Sequence, residues 1–344
     1  MRILHALIAA AACLVAVPTW AANFCVNTVA EIQAAISEAA ANNADDEIRI
    51  VGATYELTSG LHFQSEQSNA ITFRGGYNAN CTVVTGASTT IDGDQQVRGL
   101  FILNNNGDVA VEGLTFVAGL STNNRGGGLR VISQTGDIRI DRNLFFANRA
   151  DDFAGALAAT TTSGSLRVRN NLAFANSSAN VGAMELVQNA GEAYVVGNTI
   201  VANSSEGDFA PGGLYVGGSA HFTLSNNIIW NNIPEDAGPF DVDFMSTAAT
   251  HTRIANDIGV IANGTVADLV VDEQSVDPEF ASCDGFLCFN FELERSSPLV
   301  DAGNDAPAGG MPGIDLAGKQ RTIGPRVDIG AYENDVLLAD GFDP

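Results

Sequence analysis

The sequence predicts an all-β chain wound as a parallel β-helix of about eight coils, and three observations carry that expectation. IRIDRNLFFAN (138–148), LRVRNNLAFAN (166–176), AYVVGNTIVAN (193–203) and FTLSNNIIWNN (222–232) repeat one template, with its first Asn at Asn143, Asn171, Asn198 and Asn227 in steps of 28, 27 and 29 residues. A second column, GGL (127–129), GAL (155–157), GAM (182–184) and GGL (212–214), repeats in phase with the first. Leu129 and Val131, Leu157 and Ala159, Met184 and Leu186, and Leu214 and Val216 then alternate with period two, the strand signature. Strand-length apolar segments at a fixed period imply coils that stack. Dividing residues 48–277 by the roughly 28-residue period gives the count of about eight.

Stacking explains the residue choices. Equivalent residues of successive coils lie about 4.8 Å apart, so each position becomes a column of like side chains. Leu144, Leu172 and Ile228, interrupted by Thr199, are expected to point inward, as are Phe146, Phe174, Val201 and Trp230. The Asn columns are expected at sharp bends, where Asn tolerates left-handed backbone and its amide passes hydrogen bonds from coil to coil.

Taken in order, residues 1–21 read as a secretory signal peptide, with Arg2, an apolar run from Ala6 to Val17 and a small-residue site at Thr19-Trp20-Ala21. The protein is therefore expected to be exported, extracellular or at a bacterial cell surface. Residues 22–47 hold the one expected helix: Thr28 and Glu31 have capping-box spacing, and Ile32, Ala35, Ile36 and Ala39 share a face. That face is expected to plug the open end of the solenoid, where core and strand edge are otherwise bare. Residues 48–277 form the β-helix. An acidic insertion (233–252) interrupts the period, and Ile254, Asn256 and Asp257 then align with Leu224, Asn226 and Asn227, which puts Asp257 in the Asn column. Residues 278–336 are a C-terminal cap, in which Asp315, Arg321, Asp328 and Glu333 are expected to form a charge network, and 337–344 are a tail.

Beyond the signal, four cysteines in an exported chain imply two disulfides. Cys283 and Cys288 enclose only DGFL, which leaves Cys25 to join Cys81. With 16 basic and 40 acidic residues the net charge is −24, and Lys319 is the only lysine. Such a surface repels nucleic acid and anionic membranes. No apolar run after the signal is long enough to span a membrane, and a monomer is expected.

The order of a capping helix, GATY (52–55), FRGGYNANC (73–81), TTIDG (89–93) and VAVEGLTFVAG (109–119) resembles the secreted bacterial members of the pectin-lyase-like right-handed β-helix superfamily. VDPEF (276–280), SSPLVDAGN (296–304), DLAGKQR (315–321) and VDIGAYE (327–333) are similar to the C-terminal segment called choice-of-anchor Q in bacterial β-helix proteins. The resemblance implies a right-handed solenoid, in keeping with the preference for right-handed crossovers. It also implies that ligand-facing groups stand on the outer faces of strands.

Outward positions there are Ala110, Arg139, Arg167, Tyr194 and Thr223 on one strand, and Arg130, Ala158, Glu185 and Tyr215 on the GGxL strand. Arg139, Arg167, Tyr194, Glu185 and Tyr215 are the candidate glycan contacts, since guanidinium hydrogen bonds and phenol rings suit sugars. Asp301, Asn304, Asp305 and Asp315 are a candidate calcium site, although their spacing matches no EF-hand loop. The NTD, DD, GHG and RIK elements of polygalacturonases are not found as a set, nor are GxSxG, HExxH or a P-loop. The expected function is a non-enzymatic surface or extracellular glycan-binding module of adhesin type. The alternative is a calcium-assisted lyase acting on acidic polysaccharide, with Arg139, Arg167 and Glu185 in the catalytic roles.

Overall fold

The computed structural model of the protein describes residues 21–207, 210–234, 240–244, 251–262, 269–281 and 290–334. Most of the signal segment, Cys283, Cys288 and the tail 337–344 lie outside the described residues.

One coil shows the plan. Leu129–Ser133, Ile138–Asp141, Leu144–Phe146 and Arg149–Ala150 are four short strands, separated by turns too tight for a helix. Each pairs in parallel with its equivalent one period later, Leu157–Thr161, Leu166–Arg169, Leu172–Phe174 and Ser177–Ser178. Repetition builds four parallel sheets of seven, ten, eight and five strands, hence a β-solenoid of about eight coils. The seven-strand and ten-strand sheets send inward the alternate residues that the period-two pattern picked out, such as Leu129, Val131, Ile138 and Ile140, all with no exposed surface.

At the N-terminal end, helix α1 (Val29–Ala39) forms where the capping box predicts it. Thr28 Oγ1 accepts the N–H of Glu31 at 3.2 Å, and Glu31 Oε2 accepts that of Asn27 at 2.8 Å. Ile32, Ala35, Ile36 and Ala39 are buried in the same core as Ile48, Leu61 and Phe63 of the first strands. Burial of such large apolar side chains contributes roughly 1.5 to 3 kcal/mol each, which a bare end would forfeit. The Cys25–Cys81 disulfide ties the first strand of the ten-strand sheet to the loop after Ile71–Tyr77.

Three details depart from the sequence reading. On the eight-strand sheet the inward column is Phe116, Phe145, Ala173, Ile200, Ile229 and Ile258, and the Phe116 and Phe145 rings stack 5.3 Å apart. Leu144, Leu172, Thr199 and Ile228, and likewise Phe146, Phe174, Val201 and Trp230, therefore face outward. They are covered by the chain after Val276: Leu172, Phe174, Val201 and Ile228 form a second apolar cluster with Leu293, Leu299 and Ile329. Residues 276–281 and 290–334 thus run along the outside of the solenoid. Thr199 Oγ1 accepts the N–H of Ala331 at 2.9 Å, and Gly330 sits so close that a Cβ there would come 2.7 Å from Ile228.

The second departure concerns Asp257, which pairs with Ile228; the column position one coil after Asn227 belongs to Asn256. Third, the left-handed residues at that bend are Arg142, Asn170, Gly197, Asn226 and Ala255, each one place before a column Asn. The column itself passes hydrogen bonds as expected. Asn143, Asn171, Asn198, Asn227 and Asn256 are fully buried, and each of the first four gives its main-chain N–H and its Nδ2 to the next Oδ1 at 2.8 to 3.1 Å. A second ladder of Asn148, Asn176, Asn203 and Asn232 is built the same way between the eight-strand and five-strand sheets.

Candidate functional site

Parallel register turns the outer side of each sheet into a set of columns, and two of these hold the residues singled out from the sequence. On the ten-strand sheet Ala110, Arg139, Arg167, Tyr194 and Thr223 follow one another coil by coil. On the seven-strand sheet the column is His62, Phe101, Arg130, Ala158, Glu185, Tyr215 and Asp243. The candidate glycan contacts are therefore divided between two faces: Arg139, Arg167 and Tyr194 on one, Glu185 and Tyr215 on the other.

The ten-strand column is charge-balanced by its neighbours. Arg167 Nη1 lies 3.3 Å from Asp137, Arg139 Nε lies 3.8 Å from Asp141, and the Arg167 guanidinium sits 5.8 Å from the Tyr194 ring centre. Beside them runs an inter-coil chain of ion pairs: Arg74 to Glu47 at 3.2 Å and to Glu112 at 3.0 Å, Arg142 to Glu112, and Arg169 to Asp141 at 2.6 Å. Tyr194 is also partly overlaid by the C-terminal segment, where a Cβ at Gly309 would collide with its ring.

The seven-strand column is roofed instead by loops that leave the five-strand sheet. Arg125 reaches over it, pairs with Glu185, lies 3.5 Å from Asp152 and places its guanidinium 4.4 Å from the centre of the Phe153 ring. Phe153 in turn meets Tyr215 edge-on at 6.3 Å. Glu185 is only 2% exposed under this roof. Burial raises its pKa above the usual carboxylate range, with Arg125 pulling the other way. Such a carboxylate is held in place and is not free to meet a ligand unless Arg125 moves.

Towards the N-terminal end the same column changes character. His62 meets Phe101 edge-on at 4.7 Å, and the guanidiniums of Arg98 and Arg130 lie 5.6 and 5.8 Å from the Phe101 ring centre. A pocket of about 330 Å³ opens here, lined by His62, Gln96, Arg98, Phe101, Ser121 and Asn124 among others, with no acidic residue in its wall. Arg98 Nε donates to the Gly126 carbonyl at 2.9 Å, and its Nη2 to Ser121 Oγ at 2.5 Å and the Arg125 carbonyl at 3.1 Å. Arg130 donates to Asn124 Oδ1.

Arg98, Phe101, His62, Asn124, Arg125 and Phe153 were not among the residues singled out from the sequence. A signal for the first of them exists: RGLFILN (98–104) is one more copy of GGLRVIS (127–133), with Arg98 at the place of Gly127. At Gly127 a side chain would collide with the carbonyls of Arg149 and Gly155, so glycine is required at that coil, whereas the coil of Arg98 has room for a side chain.

In the C-terminal segment, Asp301 and Asp305 accept main-chain N–H groups of Arg326 and Val327, Asn304 Oδ1 accepts that of Ala306, and Asp315 accepts those of Lys319 and Glu333. Each side chain thus has a structural partner. Among the described residues no three His, Cys, Asp or Glu gather as metal ligands. Asp315, Arg321, Asp328 and Glu333 are all buried together, and Arg321 Nε lies 3.9 Å from Glu333. Burial pushes the Glu333 carboxyl up to about 7, with Asp328 adding to the rise and Arg321 opposing it.

Comparison with known proteins returns no matching family model, no matching curated protein and no matching solved structure. Among the described residues no helix is long and apolar enough to cross a membrane.

Proposed function

We propose that this chain is an exported, non-enzymatic glycan-binding module of the pectin-lyase-like right-handed β-helix type, acting at a cell surface or outside the cell, with residues 278–336 as its choice-of-anchor Q type segment. The reading rests on one observation above others: the outer column of the seven-strand sheet stacks His62, Phe101, Arg130, Glu185 and Tyr215 in register. With coils about 4.8 Å apart, the part of that column outside the Arg125 roof, His62, Phe101 and Arg130, offers ring faces and hydrogen-bond donors at a spacing close to one sugar residue. A glycan chain laid along the solenoid axis meets several of them at once.

A binding role is favoured over a lyase role by the state of the acidic group in that column. Glu185 is paired with Arg125 and buried, so it is not exposed for proton abstraction. A glycan-array screen, run beside reducing-end and unsaturated-product assays on polyuronates, tests the proposal. Array binding without product formation is the expected result. New ultraviolet absorbance from any polyuronate would overturn it in favour of elimination chemistry, and an array with no bound glycan would remove the binding role.

A further inference from the structure

We propose that Arg98, in the wall of the 330 Å³ pocket, and Arg130, which lies against the same Phe101 ring and bonds the pocket residue Asn124, form a subsite for a compact anion borne on a sugar chain, a carboxylate or a sulfate ester. The inference rests on the glycan-binding reading and names the chemistry of its ligand.

The argument begins with charge. In a chain with 40 acidic and 16 basic residues, arginines find carboxylates readily, and the outer arginines of the ten-strand face do so coil after coil. Arg98 and Arg130 differ. Every hydrogen bond that Arg98 makes goes to a neutral oxygen, that of Gly126, Ser121 or Arg125, and Arg130 donates to the neutral amide of Asn124. Glu185 and Asp152, the carboxylates whose charge acts on Arg130, make their ion pairs with Arg125.

The two guanidiniums are close enough to repel. Burial and the charge of Arg130 bring the Arg98 pKa down to about 10, and burial together with Arg125 lowers that of Arg130 against the opposing pull of Glu185 and Asp152. Two half-buried like charges beside a pocket without an acidic wall carry an unfavourable energy that a bound anion would relieve. Guanidinium forks match the planar carboxylate and the sulfate oxygens, and Phe101 and His62 supply the ring surface against which a sugar stacks. Arg98 Nη1, which makes none of those hydrogen bonds, remains as a donor.

The sequence adds an independent mark. Arg98 stands at the position that the next coils fill with Gly127, Gly155, Gly182 and Gly212. The run of four glycines begins only after Arg98, with Ser59 one coil earlier and Phe240 one coil after Gly212, and Arg98 is the charged member of the column.

Isothermal titration of the whole mature protein with three hexasaccharides tests the subsite: a galacturonate oligomer, a sulfated galactan oligomer and a neutral galactan oligomer. At least one acidic oligomer should bind, at least about tenfold more tightly than the neutral one, which corresponds to about 1.4 kcal/mol. Added salt should weaken that binding. The two acidic arms tell carboxylate from sulfate. Arg98→Met and Arg130→Gln should each weaken the acidic ligand about tenfold or more, and Arg139→Ala on the other face should leave it within about twofold. Arg98→Met also removes bonds to the 121–126 loop, so Arg130→Gln, which can still donate to Asn124, is the decisive variant. Parent-like affinity in both variants overturns the subsite, as does equal binding of the neutral oligomer. If the neutral oligomer binds and the substitutions change nothing, the glycan-binding role survives alone; if no oligomer binds, both fall.

Discussion

Asp241 stands where the second ladder would otherwise need another asparagine: its Oδ1 accepts the main-chain N–H of Asn232 at 2.8 Å and the Nδ2 of Asn232 at 2.9 Å. Its Oδ2 accepts the N–H of Val260 at 2.8 Å. A carboxylate can take donors on both oxygens, where an amide can take them on one, so the ladder closes against an acidic residue.

Asp241→Ala removes the acceptor for all three donors in a buried corner. A loss of about 1 to 3 kcal/mol or more is expected, and Asp241→Asn should cost less because it keeps one oxygen. Thermal melts should rank parent above Asp241→Asn above Asp241→Ala. A parent-like melt for the alanine variant would show that the corner relaxes at no cost.

The buried carboxyls set a pH dependence. Burial, with Asp241, Asp277 and Glu273 nearby, pushes Asp257 up to about 6, and Glu333 rises to about 7. A carboxyl whose folded pKa exceeds its unfolded value, near 4, binds protons more readily when folded. Its contribution to stability is fully present below that unfolded value and is lost as pH rises through the folded one. Stability should therefore fall from about pH 4 towards pH 7, by on the order of 2 to 3 kcal/mol for Asp257. Melts of Asp257→Asn across that range should show a flatter profile, and a slope identical to the parent's would contradict the assignment.

Structural and outer-face residues should separate cleanly. Asn171 accepts from Asn143 and donates Nδ2 to Ile140 O and Asn198 Oδ1, both at 2.9 Å, so Asn171→Ala should cost roughly 1 to 3 kcal/mol. Arg167→Ala breaks a partly exposed ion pair and should cost under about 0.5 kcal/mol. Unfolding midpoints and binding titrations on the two variants check this: the first should lower the midpoint with binding intact. Loss of binding in Asn171→Ala at an unchanged midpoint would make the ladder itself the site.

The docked C-terminal segment gives a fourth prediction. Ile329 has no exposed surface and packs over Leu172 and Ile228 on the outside of the eight-strand sheet. Ile329→Ala should destabilise by about 2 to 5 kcal/mol and hasten proteolysis within 290–334, with the solenoid strands before residue 234 protected. Cleavage that begins in those strands would mean that the segment and the coils open as one unit.

Much of this architecture was legible in the residues. The 28-residue period, the GGxL columns and the Asn ladders recur because parallel stacking makes each coil repeat the demands of its neighbour. The capping box at Thr28 and Glu31 is local chemistry, and it placed the helix and its buried face together. The Cys25 and Cys81 pairing followed by elimination, since Cys283 and Cys288 enclose only DGFL, and the structure contains it.

Other features only the tertiary structure decided. Strands such as Leu144–Phe146 are apolar on both sides, so alternation could not say which side faces in; the outer side is apolar because residues such as Leu293, Leu299 and Ile329 come back over it. Asn256 and Asp257 both carry ladder-competent oxygens, and the choice between them depends on the turn that delivers them, not on their type. The two faces that divide Arg167 from Glu185 are set by the path of the coil between strands. The sequence by itself determined the repeating coil, since neighbours one period apart write their contacts into it. Contacts such as those that gather Ile228 and Ile329 in one apolar cluster join parts of the chain that no period relates, and folding alone brings them together.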